Sequence, residues 1–302
     1  MARLHGVLPV LQTPFLDDDS IDEASLAREI GWAAGLGVDG VVTGMVSEVL
    51  RLHDSERERL TEVVCAAATD HGIPAVVSTG AESTPVAVRF ARHAAASGAS
   101  GVMAIPPLTV ALSDHGLSSY YRSIIEAIDI EVVVQDASGY VGRPLSIALM
   151  AELLADYPDR VSFKPEAPPI GPRLSQLRDA TGGAARTFEG SAGAALVDSH
   201  RRGVIGTMPG TEITWAIVAL WRALEAGDAD RARSLSAPLM EIASLFDTVD
   251  SYVAVEKYLL HQQGIFPSVR QRQPVDFVLD PESVAVVDAL VAELRTAANH
   301  AG

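Results

Sequence analysis

The stretch VSFKPE, Val161–Glu166, is a short apolar run that ends beside a proline and carries one lysine. Apolar runs of this length, bounded by Gly or Pro, are typical of strands that are buried on both faces of a parallel sheet. Seven more runs of this kind occur, at Gly6–Thr13, Gly40–Gly44, Pro74–Gly80, Gly101–Pro106, Glu131–Asp136, Ala185–Gly190 and Gly203–Met208. The sequence therefore predicts eight strands, of which Val161–Glu166 is the sixth.

Amphipathic segments separate these runs, and several begin with Ser, Asp or Thr and end at Gly, as capped helices do. They include Asp22–Gly37, Asp54–Gly72, Thr84–Gly98, Ser146–Tyr157 and Thr214–Gly227. Three more helical segments follow the eighth strand and its helix, near Asp230–Leu245, Tyr252–Gly264 and Ser283–Ala297.

The alternation of strands and helices predicts an α/β fold of the closed (β/α)8 type, a TIM barrel. A doubly wound open sheet is the alternative, but no Gly-x-Gly-x-x-Gly follows the first strand, where such folds hold dinucleotides. We expect a barrel over residues 1–228, with a C-terminal helical extension over residues 229–302 that packs on it as one structural unit.

Composition excludes several classes of function. The net charge of −16 disfavours nucleic acid and anionic membranes as partners. No apolar run approaches the roughly 18 residues of a membrane span, and the first five residues, MARLH, do not resemble a signal peptide. Cys65 is the only cysteine, in a segment read as helix over Leu60–Asp70, so we expect a buried thiol and no disulfide. These features favour a cytoplasmic protein.

Lysine is rare in this chain, with two residues against twenty-one arginines. An ammonium in a water-poor site can lose its proton and condense with a ketone to form a Schiff base, which a guanidinium cannot do. Lys164 is therefore the candidate nucleophile; the alternative is a structural lysine paired with Glu166. Lys257 falls in a late helix, and we read it as structural, at a helix end or a subunit contact.

The reacting groups of such barrels lie at the carboxyl ends of the strands. The polar residues at those ends are Thr43, Ser47, Glu48, Ser78, Thr79, Gln135, Asp136, Lys164, Glu166, Glu189, Ser191 and Thr207. Alternation along a strand puts Lys164 and Glu166 on one face, about 7 Å apart along the chain. Glu166 is thus a candidate acid/base or charge partner of the amine, or else a solvated carboxylate at the rim.

No metal site and no cofactor are expected. The eight histidines are scattered, without a two-His pair at ligand spacing. The acidic run Asp17–Asp19 precedes a helix, and such runs are more often a solvated loop than a cation site.

At these residues the chain resembles the dihydrodipicolinate synthase / N-acetylneuraminate lyase family of class I aldolase-type barrels, over nearly its whole length. The matching motifs are Thr13-Pro14-Phe15 with Asp22, Gly44-x-x-x-Glu48 with Leu52, Ser55 and Glu56, then Pro106, Lys164, Gly203–Gly206 and Gly227-Asp228. The resemblance implies that Lys164 forms a Schiff base with the keto carbon of pyruvate or another 2-oxo acid. It also implies a homotetramer or homodimer.

Departures from the family pattern affect the proton relay. The family's Gly-Thr-Thr-Gly-Glu reads Gly44-Met45-Val46-Ser47-Glu48 here, so both hydroxyls that hold the keto-acid carboxylate are lost. The two relay tyrosines correspond to Gln135 and Leu108, and the arginine that grips an aldehyde substrate's carboxylate corresponds to Tyr140. Ser47 could substitute in part, and backbone amides of Gly44–Ser47 could still bind a carboxylate.

Gln135-Asp136, Lys164-x-Glu166 with a following Pro-Pro, and Gly206–Gly210 with Glu212 resemble a branch that acts on 2-keto-3-deoxy sugar acids as dehydratases or aldolases. The alternatives are a 4-hydroxy-tetrahydrodipicolinate synthase-like pyruvate aldolase, a degenerate barrel that only binds a keto acid, and a structural oligomer. The expected catalytic residues are Lys164, Glu166, Asp136 and Gln135, with Tyr140 as a further proton carrier. The expected substrate-binding residues are Gly44, Met45, Val46, Ser47, Tyr140, Ile205 and Thr207.

Overall fold

The computed structural model describes residues 3–299, and its eight strands each lie within a predicted run. They are β1 (Gly6–Val7), β2 (Val41–Val42), β3 (Ala75–Ser78), β4 (Gly101–Ala104), β5 (Glu131–Asp136), β6 (Val161–Pro165), β7 (Phe188–Glu189) and β8 (Gly206–Thr207). The eight predicted strands are confirmed, although most are shorter than the apolar run that contains them.

The strands are parallel and follow the order of the chain. One sheet runs β2-β3-β4-β5-β6 and the other β7-β8-β1. Two parallel bridges join their edges, Val10 to Val42 on one side and Phe163 to Thr187 on the other. These bridges close the ring, so the predicted TIM barrel is confirmed.

A helix follows each strand, and three more complete the chain. The barrel helices are α1 (Glu23–Gly35), α2 (Asp54–Asp70), α3 (Thr84–Ala96), α4 (Asp114–Glu126), α5 (Ile147–Asp156), α6 (Ile170–Ala180), α7 (Leu196–Arg201) and α8 (Thr214–Glu225). The extension comprises α9 (Ala229–Ser244), α10 (Val249–Gln262) and α11 (Pro281–Asn299). Side-chain caps begin several of them: Asp22 accepts from the Ser25 amide at α1, and Asp228 from the Arg231 amide at α9. Each cap satisfies an amide that the first helical turn leaves free.

Two apolar layers hold the barrel. One set of strand side chains packs outward against the helices, and the other fills the centre of the ring. The central cluster includes Leu8, Val42, Val76, Met103 and Phe188, which come from five different strands or their extensions. Because side chains alternate along a strand, each strand contributes to both layers. Apolar side chains therefore fill the centre of the ring, and a cavity lies at its carboxyl end.

Within residues 3–299, no helix is both long and apolar enough to cross a membrane. The lone thiol of Cys65 is buried in α2, as predicted, and burial raises its pKa to about 11.

Helix α10 lies across the carboxyl end of the barrel, against a 3-10 turn, Met45–Ser47, that follows β2. Lys257 lies in the middle of α10 and is fully buried, so the reading that placed it at a helix end or a subunit contact is wrong. Its ammonium binds the Glu48 carboxylate and donates to the Arg270 carbonyl at 2.7 Å. Glu48 has a left-handed backbone, with φ 56°, so this pair fixes a strained turn beside the cavity.

Candidate active site

A cavity with about 450 Å³ of empty space, part of it open to solvent, lies at the carboxyl ends of the strands, and Lys164 forms part of its wall. The lysine lies on β6, where it pairs in register with Gln135 of β5, and both residues line the cavity. Only 6% of the Lys164 side chain is exposed. Among residues 3–299 it is the one cationic side chain on this wall. The amine thus sits in a water-poor pocket that has space beside it.

Glu166 is the immediate partner of Lys164. Its Oε1 lies 3.0 Å from Lys164 Nζ, and its Oε2 accepts a hydrogen bond of 2.6 Å from Gln135 Nε2. Burial raises the pKa of Glu166, whereas the Lys164 charge and the Gln135 bond act in the opposite direction. The three side chains form one connected group, so a proton can pass between the amine and the carboxylate without a large movement.

Gly190 has no side chain, and the Lys164–Glu166 pair occupies the space that a side chain there would fill. A Cβ at this position would stand 2.6 Å from Lys164 Cε and 2.8 Å from Glu166 Oε1. Both are closer than real side chains approach. The residue directly after β7 must therefore be glycine for the pair to hold its present geometry.

The carboxylate of Glu189 lies behind this pair. Its Oε1 accepts from the Ser191 amide at 2.6 Å, and its Oε2 accepts from the Thr207 hydroxyl at 2.7 Å. Its charge contributes to raising the pKa of Glu166. Thr207 thus positions Glu189 and does not line the cavity.

Two tyrosines form an aromatic wall. Tyr140 and Tyr252 meet edge to face, with ring centroids 5.6 Å apart, and the Tyr140 hydroxyl donates to the Gly190 carbonyl at 3.3 Å. Burial raises the pKa of both, that of Tyr252 to about 12. Both phenols are therefore neutral at physiological pH, and they can donate hydrogen bonds but are poor bases.

The turn after β2 presents backbone to the cavity. Gly44, Met45 and Val46 line it. The amides of Ser47 and Glu48 bond within the turn, to Gly44 and Met45 carbonyls, at 3.1 and 2.9 Å. The amides of Met45 and Val46 come first in the turn, where helical geometry provides no partner.

Seven of the predicted residues line the cavity and four do not. Those on its wall are Gly44, Met45, Val46, Gln135, Tyr140, Lys164 and Glu166. The others are Ser47, Asp136, Ile205 and Thr207, which have structural contacts instead.

Asp136 was expected to be catalytic, but it does not line the cavity. It follows Gln135 on β5, so alternation points it out of the barrel, where it accepts from the amides of Ser138 and Leu145 and lies 3.5 Å from Arg173. It is fully buried there and cannot reach a substrate in the cavity.

Ser47 and Ile205 are corrected for different reasons. The Ser47 hydroxyl is buried, donates to the Leu11 carbonyl and accepts from the Gly44 amide at 2.9 Å, so it holds the turn together. Ile205 precedes β8 and packs against the apolar cluster in the centre of the ring, below the cavity.

Residues of α10 form one part of the wall that sequence reasoning missed. Val249, Tyr252 and Glu256 reach the cavity from one face of this helix. Their spacing of three and four residues marks a common face. That signal was present in the sequence, but nothing in it says that this face covers the barrel mouth.

In the part of the chain that the structure describes, no group of three or more His, Cys, Asp or Glu side chains is arranged to hold a metal ion.

The fold and cavity together define a class of protein: a (β/α)8 barrel with a buried lysine at the carboxyl end of its sixth strand. Residues 3–293 match the model of the dihydrodipicolinate synthetase family, and the chain belongs to that family.

Curated relatives carry two kinds of name. An L-2-keto-3-deoxyarabonate dehydratase from Azospirillum brasilense is 27% identical over 97% of this chain and 95% of its own length. A 4-hydroxy-tetrahydrodipicolinate synthase from Methanococcoides burtonii is 35% identical, but over 49% of this chain and 50% of its own length. The chain thus spans about half the length of this synthase, and 60% of that from Methanosarcina mazei.

Solved structures share the fold across the whole chain. YagE from E. coli K12, solved in complex with pyruvate, superposes with a TM-score of 0.88 at 22% identity, covering 97% of this chain and 99% of its own. Dihydrodipicolinate synthase from Rhodopseudomonas palustris gives a TM-score of 0.86 at 26% identity, covering 96% and 98%.

Proposed function

We propose that this chain is a lyase that forms a Schiff base between Lys164 and the keto carbon of a 2-oxo acid, and that its substrate is a 2-keto-3-deoxy sugar acid. The observation that carries the proposal is a buried primary amine, 3.0 Å from the carboxylate of Glu166, on the wall of a cavity at the mouth of the barrel. Family membership and the sugar-acid dehydratase among the relatives that match along nearly the full chain support the same reading.

The pair of Lys164 and Glu166 accounts for the first step. In a buried ion pair, proton transfer to the carboxylate yields a neutral amine and a neutral acid, which removes two charges from a poorly solvated site. The free amine adds to the C2 ketone, and Glu166 returns its proton to the departing carbinolamine hydroxyl. Water leaves and an iminium remains.

The substrate carboxylate needs a binding site near the amine, and backbone amides can provide it. Met45 and Val46 line the cavity in the first positions of the turn, where backbone N–H groups favour an anion as they do at the start of a helix. Binding by backbone amides does not require the two threonine hydroxyls of the family motif, which this turn lacks. The neutral hydroxyls of Tyr140 and Tyr252 suit the hydroxylated remainder of a sugar acid.

From the iminium, two outcomes are open. Glu166, again a carboxylate, removes a C3 proton, and the resulting enamine expels the C4 hydroxyl, which is dehydration. Alternatively, a base removes the C4 hydroxyl proton and the C3–C4 bond breaks, which releases pyruvate. Both use the same lysine adduct, and the placement of acid and base decides between them.

The test is turnover of a panel of substrates. The purified chain is offered 2-keto-3-deoxy pentonates, hexonates and glucarates, and separately pyruvate with aspartate semialdehyde. Loss of sugar acid, with formation of pyruvate or a dehydrated oxo acid, is expected for at least one member of the first set, and Lys164→Ala should abolish it. Arg233→Ala, at an exposed helical position, is the control. Turnover restricted to the aldehyde, or turnover that survives in Lys164→Ala, would overturn the proposal.

A further inference from the structure

A second carboxyl group lines the cavity, and the steps above do not use it. Glu256 reaches the wall from α10, and only 3% of the residue is exposed. Its Oε2 accepts a short hydrogen bond from Gln12 Nε2. Its Oε1 has no partner among the hydrogen bonds found within residues 3–299. Gln12 thus fixes Oε2, whereas Oε1 is left without a hydrogen bond within residues 3–299.

Glu256 belongs to a cluster of buried acids. A Cβ on Gly210 would overlap both Glu212 Oε2 and Glu256 Oε1, so these two carboxyl groups face each other across that glycine. Glu29 completes the cluster from α1; its Oε1 accepts from the Gln12 amide at 3.0 Å. Gln12 thus bonds to two of the three acidic groups, and the third, Glu212, faces Glu256.

Several buried oxygens of the cluster lack a hydrogen-bond donor, which indicates that its carboxyl groups are protonated. Glu29 Oε2, Glu212 Oε2 and Gln12 Oε1 are buried without a partner among the described residues. Buried acceptors are nearly always paired, and a carboxyl group that keeps its proton turns one acceptor into a donor. Of the two lysines, Lys257 is already bound to Glu48 and Lys164 to Glu166.

Electrostatics agree with this assignment. The titratable and charged groups around Glu256 are Glu29 on α1, Lys164 on β6, Glu212 before α8, and Tyr252 and Lys257 on α10 itself. Burial first, then the charges of Glu212 and Glu29, raises the pKa of Glu256 well above its usual range. The pKa of Glu212 rises to about 7 and that of Glu29 to about 8, in both cases mainly through burial.

We propose that Glu256 is the general acid that protonates the C4 hydroxyl as it leaves, so that the reaction at this site is dehydration and not aldol cleavage. The inference rests on the proposed function. Lys164 and Glu166 would supply the adduct and the base, and Glu256 the acid on another part of the same wall. Two carboxyl groups in different environments, one paired with a cation and one surrounded by other acids, are the arrangement that separates base from acid.

Glu166 takes the C3 proton, the electrons of that C–H bond form the C2–C3 double bond of the enamine, and the π electrons of the iminium move to nitrogen. The nitrogen lone pair then restores the iminium while the C3–C4 double bond forms. The C4–O bond breaks, and its oxygen leaves with the bonding pair and takes the Glu256 proton as water. Hydrolysis frees Lys164 and an unsaturated 2-oxo acid. Solvent restores the two carboxyl groups.

The experiment compares two leaving groups in two variants. Glu256→Gln keeps the shape and the Gln12 contact but cannot release a proton; Arg233→Ala, at an exposed position of α9, is the control and should keep wild-type turnover. Each is assayed with a 2-keto-3-deoxy pentonate and with its 4-deoxy-4-fluoro analogue, because fluoride departs as a stable anion. Borohydride trapping of pyruvate on Lys164 checks that each variant retains a folded site.

Glu256→Gln should lower kcat on the hydroxyl substrate by about 100-fold or more, the usual contribution of a general acid, and on the fluoro analogue by less than about 10-fold. The fall of kcat at alkaline pH, where wild-type Glu256 loses its proton, should also disappear. If Glu256→Gln turns over the hydroxyl substrate like the wild type, or if the wild type releases pyruvate from it, the inference fails while the Schiff-base function stands. A wild type that forms the adduct but turns over no sugar acid overturns both.

Discussion

Replacing Lys257 by methionine tests how the cavity is held in place. Methionine fills a similar volume, but Glu48, itself 2% exposed, loses its cation, and the Arg270 carbonyl loses a hydrogen bond of 2.7 Å. Removing one partner of a buried ion pair costs about 3–5 kcal/mol, because the other charge stays buried and unpaired. The remaining bond to Glu48, from the Arg272 amide at 2.7 Å, offsets only part of this. We therefore expect a loss near 3 kcal/mol in the free energy of unfolding.

The assay is urea unfolding at fixed protein concentration, followed by circular dichroism. Arg233→Met is the control: this arginine pairs with Asp230 in the open, at 75% and 94% side-chain exposure, and such pairs contribute roughly 0–1 kcal/mol. The double variant Lys257→Met/Glu48→Gln should recover more than half of the loss, since no charge is then left unpaired. A loss below about 1 kcal/mol in Lys257→Met, or no recovery in the double variant, would refute the reasoning.

Three further predictions follow from single groups. Gly190→Ala should reduce kcat roughly 100-fold by displacing Lys164, whereas Gly35→Ala, where an added Cβ meets nothing within 4 Å, should not alter it; equal activities would contradict the steric argument. Glu29 keeps its proton in the folded protein up to a pKa of about 8, against 4.5 in the unfolded chain, so its contribution to stability is full below pH 4.5 and is lost as pH rises to about 8. Glu29→Gln should accordingly gain stability relative to the wild type over that interval, measured by urea unfolding at several pH values; a difference independent of pH would count against a buried neutral acid. Cys65, with a thiol pKa of about 11, should react with iodoacetamide at pH 7.5 only after unfolding, and rapid labelling of the native protein would contradict its burial.

The barrel could be predicted from the sequence because its strands are buried on both faces. Burial on both faces leaves short continuous apolar runs such as Glu131–Asp136, and these are visible without any tertiary information. Most strands are shorter than the runs because only part of each run takes part in parallel pairing. Lys164 could be predicted because lysine is rare in this chain and this one lies in an apolar run, and Glu166 because it lies two residues further along the same face.

The alternation of side chains along β5 also predicts that Asp136 faces away from the cavity. Gln135 and Asp136 are neighbours and must face opposite sides of the strand. Since Gln135 pairs with Lys164 inside the ring, Asp136 must point outward, where it binds the amides of Ser138 and Leu145.

The remainder of the site depends on long-range packing. Glu256 follows Lys164 by more than ninety residues, and only the fold of α10 across the barrel brings it to the cavity. The neutral state of the acids around it depends on Glu29, Glu212 and Gln12 meeting in space. These contacts join residues that are far apart in the sequence, so the second carboxyl group of the site could not be predicted.

The most direct test of the account is to trap the lysine adduct. The protein is incubated with pyruvate, reduced with borohydride, digested and weighed by mass spectrometry. The account predicts a single added reduced pyruvate, located on Lys164, present in Arg233→Ala and missing in Lys164→Ala. An unmodified Lys164, or a modification on Lys257 instead, would contradict it.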